Sequence, residues 1–260
     1  MKILITNDDG IDAPGIRALF ASVTLAMQRD RPGQPYQVVV VAPDRCRSEC
    51  GHSIETRHPL TIKTIQPDWH ALTGTPVDCV RVAIQAMQVR PNVVLSGINA
   101  GANLGVNLMV SGTFAAAREA SLLGVPAMAV SHYRRPDVPR TWDHTPAWIA
   151  ETMAEFFAAA CECERSISQP PLWNVNLPAV DPDATRVPPR IECLVDRCPI
   201  TRTGSIAGWE NGSAAGARQP KATVRFDIDF HGRPREPGRD VEHCFGGRMT
   251  ISKLDRQIGW

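Results

Sequence analysis

Apolar residues in the first half of the chain come in short unbroken runs. Ile3-Leu4-Ile5, Val38-Val39-Val40-Val41-Ala42 and Val93-Val94-Leu95 have no polar face. Strands built from such runs are buried on both sides, as in a parallel sheet covered by helices. The pattern predicts strands at 2–6, 37–42, 59–65, 92–96 and 126–131, with helices at 14–29, 76–88 and 112–123. Alternating strands and helices indicate a doubly wound α/β core. Right-handed crossovers then gather the loops that follow the parallel strands at one sheet edge. A longer helix is predicted over 144–163, with Trp148, Ile149, Met153, Phe156 and Phe157 as its apolar stripe. A strand at 172–176 follows and is stopped by Pro178.

The character changes after that point. Residues 179–245 are rich in Pro, Gly and Arg, with strand-like pieces at 190–195 and 222–230. Thr223 to Phe230 alternates with period two, which predicts an antiparallel strand buried on one face. A last strand is expected at 248–252. The expected organisation is a catalytic α/β core over 1–178 and a β-rich extension over 179–260.

Composition narrows the function classes. A chain of 260 residues with 43% hydrophobic content suits one large α/β domain, or one with an appendage. A net charge of +1 supplies no global field for a nucleic-acid polymer or an acidic membrane. No apolar run approaches the ~20 residues needed to span a bilayer. No targeting segment is visible, and eight cysteines dispersed along the chain fit reduced thiols in the cytoplasm. Cys46 and Cys50 lack the companions of a zinc quartet.

The candidate chemistry lies in the loops. Asn7-Asp8-Asp9-Gly10 ends the first strand, and Pro14 opens the next helix. In an open α/β sheet, ligands bind beyond the carboxyl ends of the strands. Two adjacent anions there repel unless a cation neutralises them. The loop after the second strand brings Ser48, and the loop after 92–96 brings Asn99. Asp8, Asp9, Ser48 and Asn99 are all hard oxygen donors, a set suited to Mg²⁺, Mn²⁺ or Ca²⁺ rather than zinc. Such a cation can polarise a phosphoryl group and acidify a water molecule, with Asp8 or Asp9 orienting or deprotonating that water.

Ser111-Gly112-Thr113 opens a helix whose free N–H groups and dipole favour a phosphate. The plainer alternative is that Ser111 is only an N-cap. Asn103 and Ser111 offer further donors. His52 could protonate a leaving oxygen, bind phosphate, or simply close a turn. Gly97, Gly101 and Gly105 recur every four residues, unlike a dinucleotide fingerprint. Asp8 and Asp9 adjoin, unlike the spaced carboxylates of a covalent aspartyl-phosphatase. No orienting carboxylate is assignable to a Ser48–His52 nucleophile–base pair.

Together, Asn7-Asp8-Asp9-Gly10 with Ala13-Pro14-Gly15, Ala42-Pro43-Asp44-Arg45 through Ser48, Gly74-Thr75-Pro76 with Asp78-Cys79, Ser96-Gly97-Ile98-Asn99 through Gly105, and Ser111-Gly112-Thr113 resemble the SurE family of survival-protein nucleotidases. The resemblance covers about 1–131, with weaker likeness through Asn174 to Pro178. It implies a Rossmann-like three-layer α/β/α core and a C-terminal extension exchanged between subunits in a homodimer or homotetramer. It implies a divalent-metal-dependent phosphomonoesterase acting on nucleoside 5′- and 3′-monophosphates, with one cation per subunit. The family's metal ligands fall on Asp8, Asp9, Ser48 and Asn99, and its phosphate region on Asn103 and Ser111 to Thr113. A nucleotide-binding regulatory protein and a phosphatase for other phosphoesters are the alternative functions. Arg239-Asp240 stands where the family usually has Thr-Asp.

Overall fold

A computed structural model describes residues 1–48, 50–166, 169–183, 185–200, 202–210 and 221–255. Strands β1 (Lys2–Thr6), β2 (Gln37–Pro43), β5 (Val93–Asn99), β6 (Ala127–His132) and β7 (Leu172–Leu177) form a parallel centre. β3 (Ile62–Gln66), β4 (Trp69–Leu72), β8 (Arg190–Glu192) and β11 (Met249–Leu254) extend it to nine strands. The order is β3-β4-β2-β1-β5-β6-β7-β11-β8, antiparallel only at β3–β4 and β7–β11. The expected α/β sheet, mostly parallel, is therefore present. Both outlying strands beyond residue 179, β8 and β11, belong to this same sheet.

The unbroken apolar runs divide between two cores as period-two geometry demands. Ile3, Ile5, Val38, Val40, Val93 and Leu95 face one layer, where α1 (Pro14–Asp30) packs beside α4 (Thr145–Ser166). Leu4, Val39, Val41 and Val94 face the other, which holds α2 (Pro76–Arg81) and α3 (Gly112–Leu122). All of these side chains are buried, so neither face of the central strands meets water.

Four local outcomes differ from the pattern-based expectation. The strand expected at 59–65 is β3, paired across a tight turn with β4, a strand too short to show a period. The helix expected over 76–88 begins with a capping box, in which Thr75 and Asp78 bond reciprocally, but widens to a π-helical segment at Val82–Ala86. The alternating stretch forms β10 (Lys221–Ile228) in a two-stranded ribbon with β9 (Arg202–Glu210), yet Thr223 to Phe226 are exposed on both faces. Ile206, Val224 and Phe226 of that ribbon are exposed, and a two-stranded ribbon alone is marginal in water. The six-residue helix α5 (Asp240–Phe245) was not foreseen. Among the described residues, no helix is long and apolar enough to cross a membrane.

β1 is the switch point of this sheet. From it the chain passes outward to β2, then returns to β5 on the other side. The crevice between the carboxyl ends of β1 and β5 is where a doubly wound sheet places its ligand. α1 approaches this crevice so closely that a Cβ on Gly15 would lie 2.0 Å from the Ile98 carbonyl oxygen. Gly→Ala at an unencumbered helical position gains about 1 kcal/mol. Gly15→Ala should instead cost roughly 2 kcal/mol or more, because the carbonyl belongs to backbone and must move. Chemical denaturation of the two proteins would measure this.

Candidate metal and phosphate site

The turn after β1 is fixed before any ligand is considered. Asn7 is fully buried, donates from Nδ2 to the Gly10 carbonyl (2.8 Å) and accepts from the Gly10 N–H (3.2 Å). Gly10 takes a φ of +103°, a conformation that glycine adopts without a steric penalty. This clamp presents Asp8 and Asp9 side by side. The Arg47 N–H donates to the Asp8 carbonyl (2.7 Å), and the Ile11 N–H to Pro43 (2.8 Å), tying the post-β2 loop to the same turn.

Asp8 is buried against the N-terminus of α3. Thr113 Oγ1 donates to Asp8 Oδ1 at 2.5 Å, and Thr113 is itself inaccessible to solvent. Gly112 makes the approach feasible: a Cβ there would fall 2.9 Å from the Asp8 Cβ and 3.0 Å from the Cys50 sulfur. Burial pushes Asp8 up to about 6, against the downward pull of the Thr113 hydroxyl, and the neighbouring Asp9 adds to the rise. Burial also raises Asp9, partly offset by its bond from the Ala100 N–H (3.1 Å). Two carboxylates so placed are a built-in demand for positive charge.

The remaining oxygen donors lie on the flanking loops. Asn99, at the end of β5, donates its Nδ2 to the Gly101 carbonyl (2.8 Å), which leaves Oδ1 as the atom available to a cation. Ser48 is exposed and lies 3.0 Å from the Cys46 sulfur. Burial and the charge of Asp8 raise the Cys50 thiol, keeping it a poor thiolate ligand and the donor set one of oxygens. The donors therefore suit a hard divalent ion.

The phosphate candidates divide into two kinds. Ser111 is buried and caps α3 by accepting from the Phe114 N–H (3.0 Å). Thr113 serves Asp8, as above. Gly112, between them, is the bare position of this helix start. Asn103 is enclosed: its N–H donates to Asn176 Oδ1 (2.9 Å), its Nδ2 to Ser131 (2.8 Å), and its carbonyl accepts from Asn174 (2.9 Å) and Asn176 (3.0 Å). His52 points away from the carboxylates. Its Nε2 meets Glu119 (2.8 Å), a buried group on α3 also held by Arg81 (2.6 Å), while Arg118 donates to its Nδ1 (3.0 Å). Glu119 lies two turns along α3 from Gly112, about 10 Å at 1.5 Å per residue.

Several supporting residues escaped the sequence reading. Asn7 was visible only as part of a motif. Asn174 and Asn176 had a signal, two amides at i and i+2 on one face of an otherwise apolar strand. Glu119 had none beyond being an acid on a helix. A separate trio, Asp196, Cys198 and Glu236, also brings ligand atoms within 4.8 Å of one another. Both Asp196 oxygens already accept backbone N–H groups, from Cys198 and Glu236.

The model of the family described as survival protein SurE matches residues 3–195. A 5′-nucleotidase SurE of Neisseria gonorrhoeae is 36% identical over 257 residues, covering 98% of this chain and 92% of that protein. A protein of the same description from Geobacter metallireducens is 48% identical over 132 residues, half of this chain and 49% of its own. A crystal structure of the SurE protein from Aquifex aeolicus superposes with a TM-score of 0.71 at 26% identity, covering 100% of this chain and 95% of that one.

The buried carboxylate has a pH signature. Between 3.8 and about 6 the folded, metal-free protein binds more protons at Asp8 than the unfolded chain does. Stability from this group is full below 3.8 and is lost as pH rises through about 6, on the order of 2–3 kcal/mol. Denaturation of metal-free protein from pH 4 to 7 should show this slope, and Asp8→Asn should remove it.

Proposed function

The chain belongs to the SurE family of survival proteins, and from that premise we propose that it is a divalent-metal-dependent phosphomonoesterase releasing phosphate from nucleoside 5′-monophosphates, and from 3′-monophosphates as well. The observation that carries the reading is the Asp8–Asp9 pair at the switch point of the sheet, with Asp8 buried and seated on the start of α3 and Asp9 half-buried beside it. A site that holds a buried and a half-buried carboxylate side by side has an unmet need for a cation, and phosphoryl transfer is chemistry that a hard cation serves.

Asp8, Asp9, Ser48 and Asn99 would hold one ion, Mg²⁺ or Mn²⁺, with Ca²⁺ also satisfying the donors. When bound, it neutralises charge on the phosphoryl oxygens and acidifies a water molecule. The chain's own residues supply the rest. Thr113 fixes the rotamer of Asp8. Asp9, which is less buried than Asp8, would take the proton of the attacking water. Ser111 ends the loop so that the helix dipole of α3 faces the site, and Gly112 keeps that approach free of a side chain. The Asn103 cluster holds the loop between Asn99 and Gly105 in one arrangement. His52 acts as a positioning residue: through Glu119 it pins the Ser48 loop to the same helix that seats Asp8.

We also assign the protein to the cytoplasm as a homodimer or homotetramer. Among the described residues no disulfide is formed. The β9–β10 ribbon exposes Ile206, Val224 and Phe226 at 59%, 51% and 69%, an apolar surface that a second copy would cover.

Phosphate release across nucleotides and simple phosphoesters, with chelator and with each cation restored, tests the activity. Nucleotides should be preferred, chelation should abolish turnover, and Asp9→Asn should lower kcat at least 100-fold with the fold kept. Undiminished turnover by ion-free protein would overturn the reading. A preference for simple phosphoesters would replace the substrate class. Light scattering should show an oligomer that Phe226→Asp shifts toward monomer.

A further inference from the structure

The Leu104–Gly105 peptide is gripped at both of its poles by charged side chains from the last third of the chain. Its N–H, on Gly105, donates to Asp240 Oδ2 (2.9 Å). Its carbonyl, on Leu104, accepts from Arg233 Nη2 (3.3 Å). Asp240, Arg233 and Leu104 are all buried.

A buried carboxylate is costly unless several donors meet it. Asp240, at the start of α5, has three. Besides Gly105, the Asp196 and Val241 N–H groups donate to its Oδ1, each at 2.8 Å. Burial pushes the carboxyl up, and these three bonds pull it back. Arg233 places a positive charge beside Asp196 and Asp240. The turn itself is shaped to this grip. Gly105 takes a φ of +55°, and a Cβ there would fall 2.5 Å from Arg233 Nη2 and 3.1 Å from the Asp196 carbonyl oxygen.

The gripped peptide occupies a junction. Gly105 lies six residues after Asn99 and six before Ser111. Upstream, the loop meets the carboxylate pair where the Ala100 N–H donates to Asp9 (3.1 Å). Downstream, the chain enters a 3₁₀ turn over Gly105–Met109 that leads to Ser111 and α3, on which Asp8 is seated. The backbone bonds of Asn103 to β7 reach only as far as its own carbonyl. The orientation of the following Leu104–Gly105 peptide is left to Asp240 and Arg233.

We propose that Asp240, with Arg233 opposite it, is a positioning residue for the metal site: by fixing the Leu104–Gly105 peptide it sets Asn99 and the start of α3 at their working separation. The inference rests on the nucleotidase reading above. Coupling between two places in a protein is reciprocal. A clamp that favours the ion is itself favoured by a bound ion, so opening of the Gly105 N–H bond becomes rarer when the site is filled.

The test uses the full chain with Mn²⁺ as the probe, read by calorimetric titration of metal-free protein and by amide hydrogen exchange. Asp240→Asn is the informative variant. With its one oxygen turned to the Asp196 and Val241 N–H groups, its Nδ2 faces the Gly105 N–H, donor against donor. The Kd for Mn²⁺ should rise about tenfold, the scale seen when a group that supports a metal ligand is removed. Gly105→Ala, which pushes the same peptide off Arg233, should act in the same direction. Val241→Ala truncates a buried side chain of the same helix and keeps the Asp240 bonds, and its Kd should stay within about twofold of wild type. In wild type, Mn²⁺ should slow exchange of the Gly105 amide. An unchanged Kd in Asp240→Asn overturns the proposal. So does an equal rise in Val241→Ala, which would mark general loosening, and so does Gly105 exchange indifferent to Mn²⁺. Should Asp240→Asn fail to fold, Gly105→Ala and the exchange measurement decide in its place. A wild type that binds no divalent cation sinks the nucleotidase reading, and this inference with it; a wild type that binds Mn²⁺ and releases phosphate while Asp240→Asn matches it sinks the inference alone.

Discussion

The architecture turns on one unfavourable contact made tolerable. Two carboxylates lie side by side at the end of a buried strand, one of them almost wholly out of water. The fold offers Asp8 a hydroxyl donor and the positive end of α3, which moderates the cost without removing it. Much of the surrounding structure exists to keep that contact from relaxing. Asn7 closes the turn from behind, Gly112 lets the helix come near, and Arg47 ties the neighbouring loop to the Asp8 backbone. Sites that store electrostatic tension in this way are found where a ligand is to relieve it.

The loop from Asn99 to Gly105 connects the different parts of the site. Its polar groups are satisfied by β7 through Asn174 and Asn176, by β6 through Ser131, and by Asp240 from far along the chain. Buried polar networks of this kind specify one arrangement, because any slip leaves an amide or carbonyl without a partner. A single loop thus borders the carboxylate pair, with its position set by residues up to 135 positions away.

Legibility in the sequence followed the type of physical signal. The valine runs of β2 and β5 gave the sheet and its two-sided burial, because continuous apolar strands admit few other readings. Asp8 and Asp9 stood out because adjacent anions after such a strand need a reason. Ser111 as a helix start was equally plain. Asn103 was legible only as a nearby donor; its enclosure by β7 depends on strand order, which periodicity does not carry. His52 invited a catalytic reading from its nearness to Ser48, but Glu119 lies 67 positions away and turns the ring toward α3. The short strand β4 and helix α5 were missed because four and six residues hold too little pattern. The alternation at Thr223–Phe230 was real as a strand signal and misleading as a burial signal, since what covers an apolar face can come from outside the chain.

The placement of β11 bears on how the molecule is made. This strand is inserted between β7 and β8, so the sheet's far side has a gap until residue 254 is in place. Domains tend to fold from the amino end as synthesis proceeds. Here the first strands can assemble around β1 early, but β7 keeps an open hydrogen-bonding edge through the whole translation of the arginine-rich stretch. A nascent chain with that edge bare is exposed to mispairing with a neighbour, and completion of the last strand is the event that covers the edge of β7.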